Sequence, residues 1–397
     1  MDDPSRLLVV DDNEMNRDLL SRRLRQEGHL VVTAVNGREA LERIRSEAFD
    51  LVLLDVMMPE MDGYQVLEQL RSEQWLPRLP VIMISAISEL DSVVRCIEMG
   101  ATDYLPKPFN AVLLKARVAA TLERKRLRDR ERLHSQSMER ELEIGRQIQA
   151  TFFPDELPQP DGWEICARFQ PARQVAGDFY DAFPIRGGHG IGLVMADVCD
   201  KGVGAALFMA LFRSLIRAAA EDSGPDRLGR GERSEFDPAA RLLHAVVLTN
   251  DYIARTHSRA NMFATLFFGI LDPATGALAY VNGGHEAPVL RTPSGEVRRL
   301  PPSGPAVGML PGAAFEVRRE RLEPGDLLLL FTDGITEARD PEGVQYTEER
   351  LIALLDLPVS SGALLDVIEK SLLAHNAGVE PSDDMTMMAV RRKREDK

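Results

Sequence analysis

Cysteine is scarce: Cys96, Cys166 and Cys199 are the only three in 397 residues. An odd, scattered set provides no disulfide framework and fits a reducing compartment. No apolar run approaches the roughly 18 residues that a membrane span requires. The opening stretch MDDPSRLLVV has no basic n-region and no cleavage site of the secretory kind. A cytoplasmic protein without membrane association is expected. Positive charge is also in deficit, with 48 Lys and Arg against 62 Asp and Glu, a net charge of −14. Such a chain is repelled by phosphate backbones and anionic lipid, so nucleic acid is not an expected partner. Low complexity and internal repeats are absent too, and the length suggests two or three domains.

What is present has two textures. Short apolar runs at 7–10, 31–35, 51–54, 81–84 and 102–105 alternate with segments of helical spacing. Those segments carry Met15, Leu19, Leu20 and Leu24, then Ala40, Leu41, Ile44 and Ala48. Val66, Leu67 and Leu70 follow, and later Val93, Val94 and Ile97. Continuous apolar strands between amphipathic helices predict a doubly wound (βα)5 domain with a parallel sheet covered on both faces. Function in that architecture sits at the carboxyl ends of the strands.

Residues 110–150 contain no proline and read as one long helix, broken by Pro154, Pro158 and Pro160. Its middle is densely charged and its heptad pattern is weak. It is either a solvated spacer or a coiled coil, and a homodimer paired through this helix is the favoured expectation. From Trp163 onward strand-like stretches dominate, at 191–195, 263–271, 278–281, 327–331 and 385–390. Turn pairs such as Asp272-Pro273, Thr275-Gly276 and Ser294-Gly295 predict antiparallel hairpins. Helices are expected at 205–220 and 239–256, with a Gly-, Ser- and charge-rich loop at 221–238. The basic run Arg391-Arg392-Lys393-Arg394 is expected to be a solvated end.

In the first domain Asp11 and Asp12 follow the first strand, Asp55 the third, Ser85 the fourth and Lys107 the fifth. Clustered carboxylates need a cation, and an all-oxygen set suits Mg²⁺. A carboxylate beside Mg²⁺ can accept a phosphoryl group, and an ammonium and a hydroxyl can hold the added charge. Asp11 or Asp12 alone would be a helix cap, but a cap does not explain all five positions. Val9-Val10-Asp11-Asp12, Leu54-Asp55-Val56-Met57-Met58-Pro59, Asp62-Gly63, Ser85-Ala86 and Lys107-Pro108-Phe109 together resemble a response-regulator receiver domain. The resemblance implies that Asp55 is the phosphoacceptor. It implies an Mg²⁺ site of Asp11, Asp12, Asp55 and the Met57 carbonyl, and switch residues Ser85, Tyr104 and Lys107. The phosphate donor would be a sensor histidine kinase or phosphotransfer protein.

Four acidic segments mark the second half: Gly177-Asp178-Phe179-Tyr180-Asp181, Ala196-Asp197-Val198, Thr332-Asp333-Gly334 and Ser382-Asp383-Asp384-Met385-Thr386. Each lies at the edge of a strand-like run. Converging carboxylates without histidines at metal spacing suggest two Mn²⁺ or Mg²⁺ ions, and without a nucleophile elbow water is the natural nucleophile. Asp-Gly and Asp-Asp are also ordinary turn residues, a strong rival for Thr332-Asp333-Gly334 taken alone. In order and spacing the segments resemble the PPM family of metal-dependent serine/threonine phosphatases, in the bacterial branch acting on stress and sporulation regulators. Asp200-Lys201-Gly202-Val203-Gly204, Phe263-Ala264-Thr265-Leu266 and Asn282-Gly283-Gly284-His285 add to the match. Residues 141–158, with Ile148-Gln149 and Phe153-Pro154, are similar to the helix preceding this domain in that branch.

The resemblance implies two antiparallel sheets flanked by helices. It implies catalytic Asp178, Asp197, Asp333 and Asp383. Asp197 would bridge two ions, the Val198 carbonyl would bind one, and Asp178, Asp333, Asp383 and Asp384 would complete the metal set, with the direct ligand of the last two left open. Ala176 and Asp200 stand where the branch has glycine. His285 is read as a hydrogen-bonded turn residue before a general acid, and Phe152, Phe153 and Trp163 as core.

The expected organisation is a receiver at 1–122, a helical linker at 123–153, a phosphatase domain at 154–392 and a basic tail at 393–397. The expected function is a response regulator whose aspartyl phosphorylation controls a metal-dependent protein serine/threonine phosphatase. Its substrate would be a phosphorylated anti-sigma-factor antagonist. A scaffold that binds a phosphoprotein without hydrolysing it is the alternative. A DNA-binding output is disfavoured, since no basic recognition helix follows the receiver.

Overall fold

The computed structural model describes residues 4–86, 90–185, 190–221 and 237–394. Most of the predicted 221–238 loop, the Val93 side chain and residues 395–397 of the predicted tail lie outside the described residues. The chain divides into two compact units, Met1–Met138 and Glu139–Lys397.

The first unit runs β1 (Arg6–Val10), α1 (Glu14–Gln26), β2 (Leu30–Ala34), α2 (Gly37–Ser46), β3 (Leu51–Asp55), α3 (Gly63–Ser72), β4 (Val81–Ser85), α4 (Leu90–Glu98), β5 (Asp103–Pro106) and the start of α5 (Ala111–Ala150). The strands pair in parallel in the order β2-β1-β3-β4-β5. Alternate residues of one strand go to opposite faces. Leu8, Val10, Val52 and Leu54 pack with Leu41, Ile44, Val66 and Leu67 of α2 and α3. Leu7, Val9, Leu51 and Leu53 pack with Leu20 and Leu24 of α1 and with Leu114, Val118 and Leu122 of α5. Both faces are covered, so the strands read as unbroken apolar runs. Asn13 caps α1, and Asp62 forms a reciprocal capping box with Gln65 at the start of α3.

Helix α5 is 40 residues long. Beyond Leu122 it leaves its apolar seam, and Leu127, Leu133, Met138, Ile144 and Ile148 are exposed.

The second unit continues with β6 (Trp163–Gln170), β7 (Phe179–Pro184), β8 (Ile191–Val198), α6 (Val203–Glu221), α7 (Pro238–Thr256), β9 (Ala264–Leu271) and β10 (Ala277–Gly283). Then come β11 (Val289–Arg291), β12 (Val297–Arg299), β13 (Arg318–Arg321), β14 (Leu327–Phe331), α8 (Asp333–Thr336), α9 (Glu348–Leu354), α10 (Ser361–Asn376) and β15 (Met385–Arg392). Two antiparallel sheets form, in the orders β13-β10-β9-β8-β7 and β12-β11-β14-β15-β6. Leu193, Met195 and Phe267 of the first sheet meet Leu328, Leu330, Met388 and Val390 of the second between the layers. The outer face of the first sheet carries α6 and α7, and that of the second carries α9 and α10. The result is a four-layer helix–sheet–sheet–helix sandwich.

Three sequence expectations change. Helices α8 to α10 and strands β6 and β13 add to the expected elements, while the Ser294-Gly295 turn joins β11 to β12 as the expected antiparallel hairpin. Arg391 and Arg392 are not a solvated end. They close strand β15 opposite Glu164 and Trp163 of β6, and Arg392 donates to the carbonyls of Thr275 (3.0 Å) and Leu322 (2.8 Å). Lastly, α6 is long and apolar enough to cross a membrane by length and composition alone. Met209, Phe212 and Ile216 of this helix are buried in the sheet core.

Candidate functional sites

In the first unit the strand ends deliver the acids. Asp11 follows β1 and is fully buried, Asp55 ends β3 and is buried, and Asp12 is exposed. One oxygen from each lies within 4.8 Å of the others, the only such three-acid group among the described residues. Lys107, just past β5, places its ammonium 2.8 Å from Asp11 Oδ2 and 2.7 Å from Asp55 Oδ2. Asp11 Oδ1 accepts from the Asn13 N–H at 2.9 Å.

Burial raises the Asp55 pKa, opposed by its hydrogen bond from Lys107 and assisted by repulsion from Asp11. Burial works against the Lys107 ammonium, but its two carboxylate partners outweigh it and raise its pKa. Three acids and one amine leave excess negative charge, so the donor set fits a hard divalent cation.

Ser85 ends β4, and its carbonyl accepts from the Lys107 N–H (2.8 Å) and the Tyr104 hydroxyl (3.4 Å). The Tyr104 ring is buried. Met57 has an exposed side chain and donates its N–H to Asp55. Gly63 is needed beside the site: a Cβ there would stand 2.3 Å from the Asp55 carbonyl oxygen.

In the second unit Asp178 precedes β7, Asp197 lies near the end of β8, Asp333 opens α8, and Asp383 and Asp384 precede β15. Asp178 is buried, and its Oδ2 accepts from the hydroxyls of Thr332 (2.8 Å) and Thr386 (2.6 Å). Asp197 is hydrogen-bonded to Asp178, and its pKa is raised to about 7 by burial and then by repulsion from Asp333 and Asp383. Asp178 is driven well up by burial and by Asp197. Asp333 is raised by burial and by Asp383. Four acids from four separate segments thus sense one another.

Their oxygens are spread wider than those of the first unit, since among the described residues no three of them lie mutually within 4.8 Å. Acids divided between two ions need no single three-way cluster. Mutually repelling carboxylates, one buried and three half-buried, with one adjacent ammonium, Lys201 Nζ at 2.7 Å from Asp383 Oδ2, fit hard divalent cations.

The remaining motif residues separate by role. Asp384 accepts through Oδ1 from Ala172 N (2.8 Å) and through Oδ2 from Gly177 N (2.8 Å) and Asp178 N (3.5 Å). Gly177 and Gly334 allow close approach: a Cβ would stand 2.8 Å from the Val198 carbonyl oxygen and 2.0 Å from that of Asp384, respectively. Asp200 holds φ +73°, the conformation glycine adopts freely, and its carboxylate accepts from the Lys201 N–H. Asp181 is taken by Arg213 (3.0 Å) and Arg217 (3.2 Å) of α6. His285 is buried, shares a hydrogen bond with the Thr265 hydroxyl (2.9 Å), and has its pKa lowered to about 4 by burial. It is a neutral packing residue.

The sequence reading assigned no role to Thr332, Thr386, Lys201 or Gln149. The threonines lie within the quoted acidic motifs, which is the signal that could have found them.

Residues 187–393, just over half of the 397, match the family model described as Stage II sporulation protein E (SpoIIE). The chain belongs to the SpoIIE family. Residues 7–119 match the response regulator receiver domain model. Protein IcfG of Synechocystis sp. is 43% identical over 266 residues, which cover 64% of this chain and 41% of IcfG. The chain therefore spans about two-fifths of that relative. Response regulator MprA of Mycolicibacterium vanbaalenii is 46% identical over 121 residues, 30% of this chain and 52% of MprA. The SiaA-PP2C domain of Pseudomonas aeruginosa shares the fold, with a TM-score of 0.51 and 22% identity over 65% of this chain and 98% of that one. The SpoIIE-family chain joins a receiver domain to a SpoIIE domain whose fold is that of the SiaA-PP2C domain.

Proposed function

We propose that this chain is a two-component response regulator in which phosphorylation of Asp55 activates a metal-dependent protein serine/threonine phosphatase. The observation that carries the output half is Asp197, whose pKa is raised to about 7 by burial and by Asp333 and Asp383. Such a cluster favours divalent cations over a merely structural role. Asp178, Asp197, Asp333 and Asp383, with the Val198 carbonyl, would hold two Mn²⁺ or Mg²⁺ ions, and Thr332 and Thr386 fix Asp178 for that task. The ions supply Lewis acidity toward water and the phosphoryl oxygens. Water attacks phosphorus, the bond to the serine or threonine oxygen breaks, and that oxygen leaves with a proton. Asp384 orders the loop before Asp178 in place of binding an ion directly.

At the input, Asp11, Asp12, Asp55 and the Met57 carbonyl would hold Mg²⁺. An Asp55 carboxylate oxygen attacks the phosphoryl group of a kinase or phosphotransfer phosphohistidine, and the P–N bond breaks. Lys107, already 2.7 Å from Asp55, then pairs with the new phosphoryl oxygens. Ser85 and Tyr104 respond to that charge, and α5 carries the change toward the phosphatase unit. Exposed Leu127, Leu133, Met138, Ile144 and Ile148 on α5 favour a homodimer paired along this helix.

The substrate we propose, a phosphorylated anti-sigma-factor antagonist, rests on the family resemblance. The test is Mn²⁺-dependent release of phosphate from a phosphoserine form of such an antagonist, by wild type and Asp197→Ala. Loss of most turnover in the variant supports the reading. Near wild-type turnover by Asp197→Ala removes the assigned site, and tight binding without turnover by wild type favours the scaffold.

A further inference from the structure

From Glu123 to Ala150, Gln149 is the one buried residue among those described, although apolar side chains are available in the same stretch. A helix that buries a polar amide while exposing Ile144 and Ile148 uses the amide for a purpose other than apolar packing. Both polar atoms of Gln149 reach one residue. Its Nε2 donates to the Ala176 carbonyl at 2.7 Å, and its Oε1 accepts from the Ala176 N–H at 3.0 Å. One helical turn earlier, Gly145 faces the same loop, with the position of a Cβ 3.5 Å from Val175 Cγ1.

Ala176 is followed by Gly177 and Asp178 in the segment between β6 and β7, which has no ladder partners of its own. Two side chains organise that backbone in their place. Asp384 holds Ala172, Gly177 and Asp178 from one side, and Gln149 holds Ala176 from the helix.

We propose that Gln149 is a positioning residue that sets the backbone of the Asp178 loop, so the end of α5 acts directly on a metal-site carboxylate. This inference rests on the metal-dependent phosphatase reading above. Glutamine suits the task because one planar amide offers a donor and an acceptor at the spacing of a backbone N–H and C=O. A residue lacking either leaves a buried group of Ala176 without a partner.

The test is calorimetric titration of Mn²⁺ into the full chain, in an Asp12→Asn background that weakens the receiver's own site, together with thermal melting. Gln149→Ala is compared with Phe153→Leu, a packing control whose ring lies 4.5 Å from Phe169 and 5.3 Å from Tyr180. Gln149→Ala should weaken Mn²⁺ binding by about tenfold or more, as removal of a metal ligand's supporting partner does, while lowering Tm no further than the control. Gln149→Glu keeps an acceptor but loses the donor, so its loss should be intermediate; it also decides the matter if the alanine variant does not fold. A fall in Tm with unchanged Mn²⁺ affinity, or no change in either, overturns the inference alone. Failure of wild type to bind Mn²⁺ in this unit overturns the metal-dependent phosphatase reading and the inference with it.

Discussion

Asp384 Oδ2 accepts a hydrogen bond from the Gly177 backbone N–H at 2.8 Å, across 207 residues of chain. Its neighbour Asp383 instead faces the Lys201 ammonium at 2.7 Å. Two adjacent carboxylates therefore have different work: one organises a loop, and the other is available to a cation.

The pair can be separated by stability and turnover. Asp384→Ala strips acceptors from buried N–H groups, a loss of about 2–4 kcal/mol and a fall in Tm of roughly 5–10 °C. Asp384→Asn keeps an acceptor oxygen and should lose less. Asp383→Asn should melt within about 2 °C of wild type but lose on the order of tenfold or more in Mn²⁺-dependent turnover. Thermal melts and hydrolysis of a small aryl phosphate measure both. An Asp384→Ala protein as stable as wild type would show that the loop does not depend on this clamp.

Asp197 gives the site a pH signature. Its pKa is raised from 3.8 to about 7, by burial and by its acidic neighbours. Unfolded chain releases this proton near pH 4, so between there and about pH 7 the folded state binds more protons, and stability falls as pH rises. Metal-free wild type should therefore lose more Tm between about pH 5.5 and about pH 8 than Asp197→Asn, which does not titrate there. Mn²⁺ should raise the wild-type Tm more at the higher pH, where protons no longer compete for the carboxylates. Parallel pH profiles for the two proteins would contradict the assignment.

Asp55→Asn should keep the receiver folded and abolish acid-labile phosphorylation by acetyl phosphate. The amide is nearly isosteric but is not a carboxylate nucleophile. Stoichiometric phosphate uptake by the variant would place the phosphoacceptor elsewhere.

The receiver was legible because its strands are buried on both faces and its acids stand at strand ends, where parallel topology gathers them. Much of the second unit was not. Strand β13 reads Arg-Arg-Glu-Arg, an edge strand with too little apolar alternation to be seen, and β12, Val-Arg-Arg, shows only through the Ser294-Gly295 turn before it. Strand β15 ends on Arg391 and Arg392, which pass for a polar tail until Trp163 and the Thr275 carbonyl are seen beside them. The acidic motifs of the second site were visible one by one. The bonds that sort them, from Thr332 and Thr386 to Asp178 and from Asp384 to Gly177, join residues far apart in sequence and have no local signature.

In the proposed mechanism α5 carries the state of Asp55 to the second unit. The direct measurement is phosphatase turnover, with and without Asp55 phosphorylation, after inserting two or seven residues next to Ser135. Two residues turn the downstream helix by about 200°, while seven nearly restore its face. Activation by phosphorylation should disappear with two residues and return, at least in part, with seven. Activation that survives both insertions unchanged would make the helix a mere tether that transmits nothing.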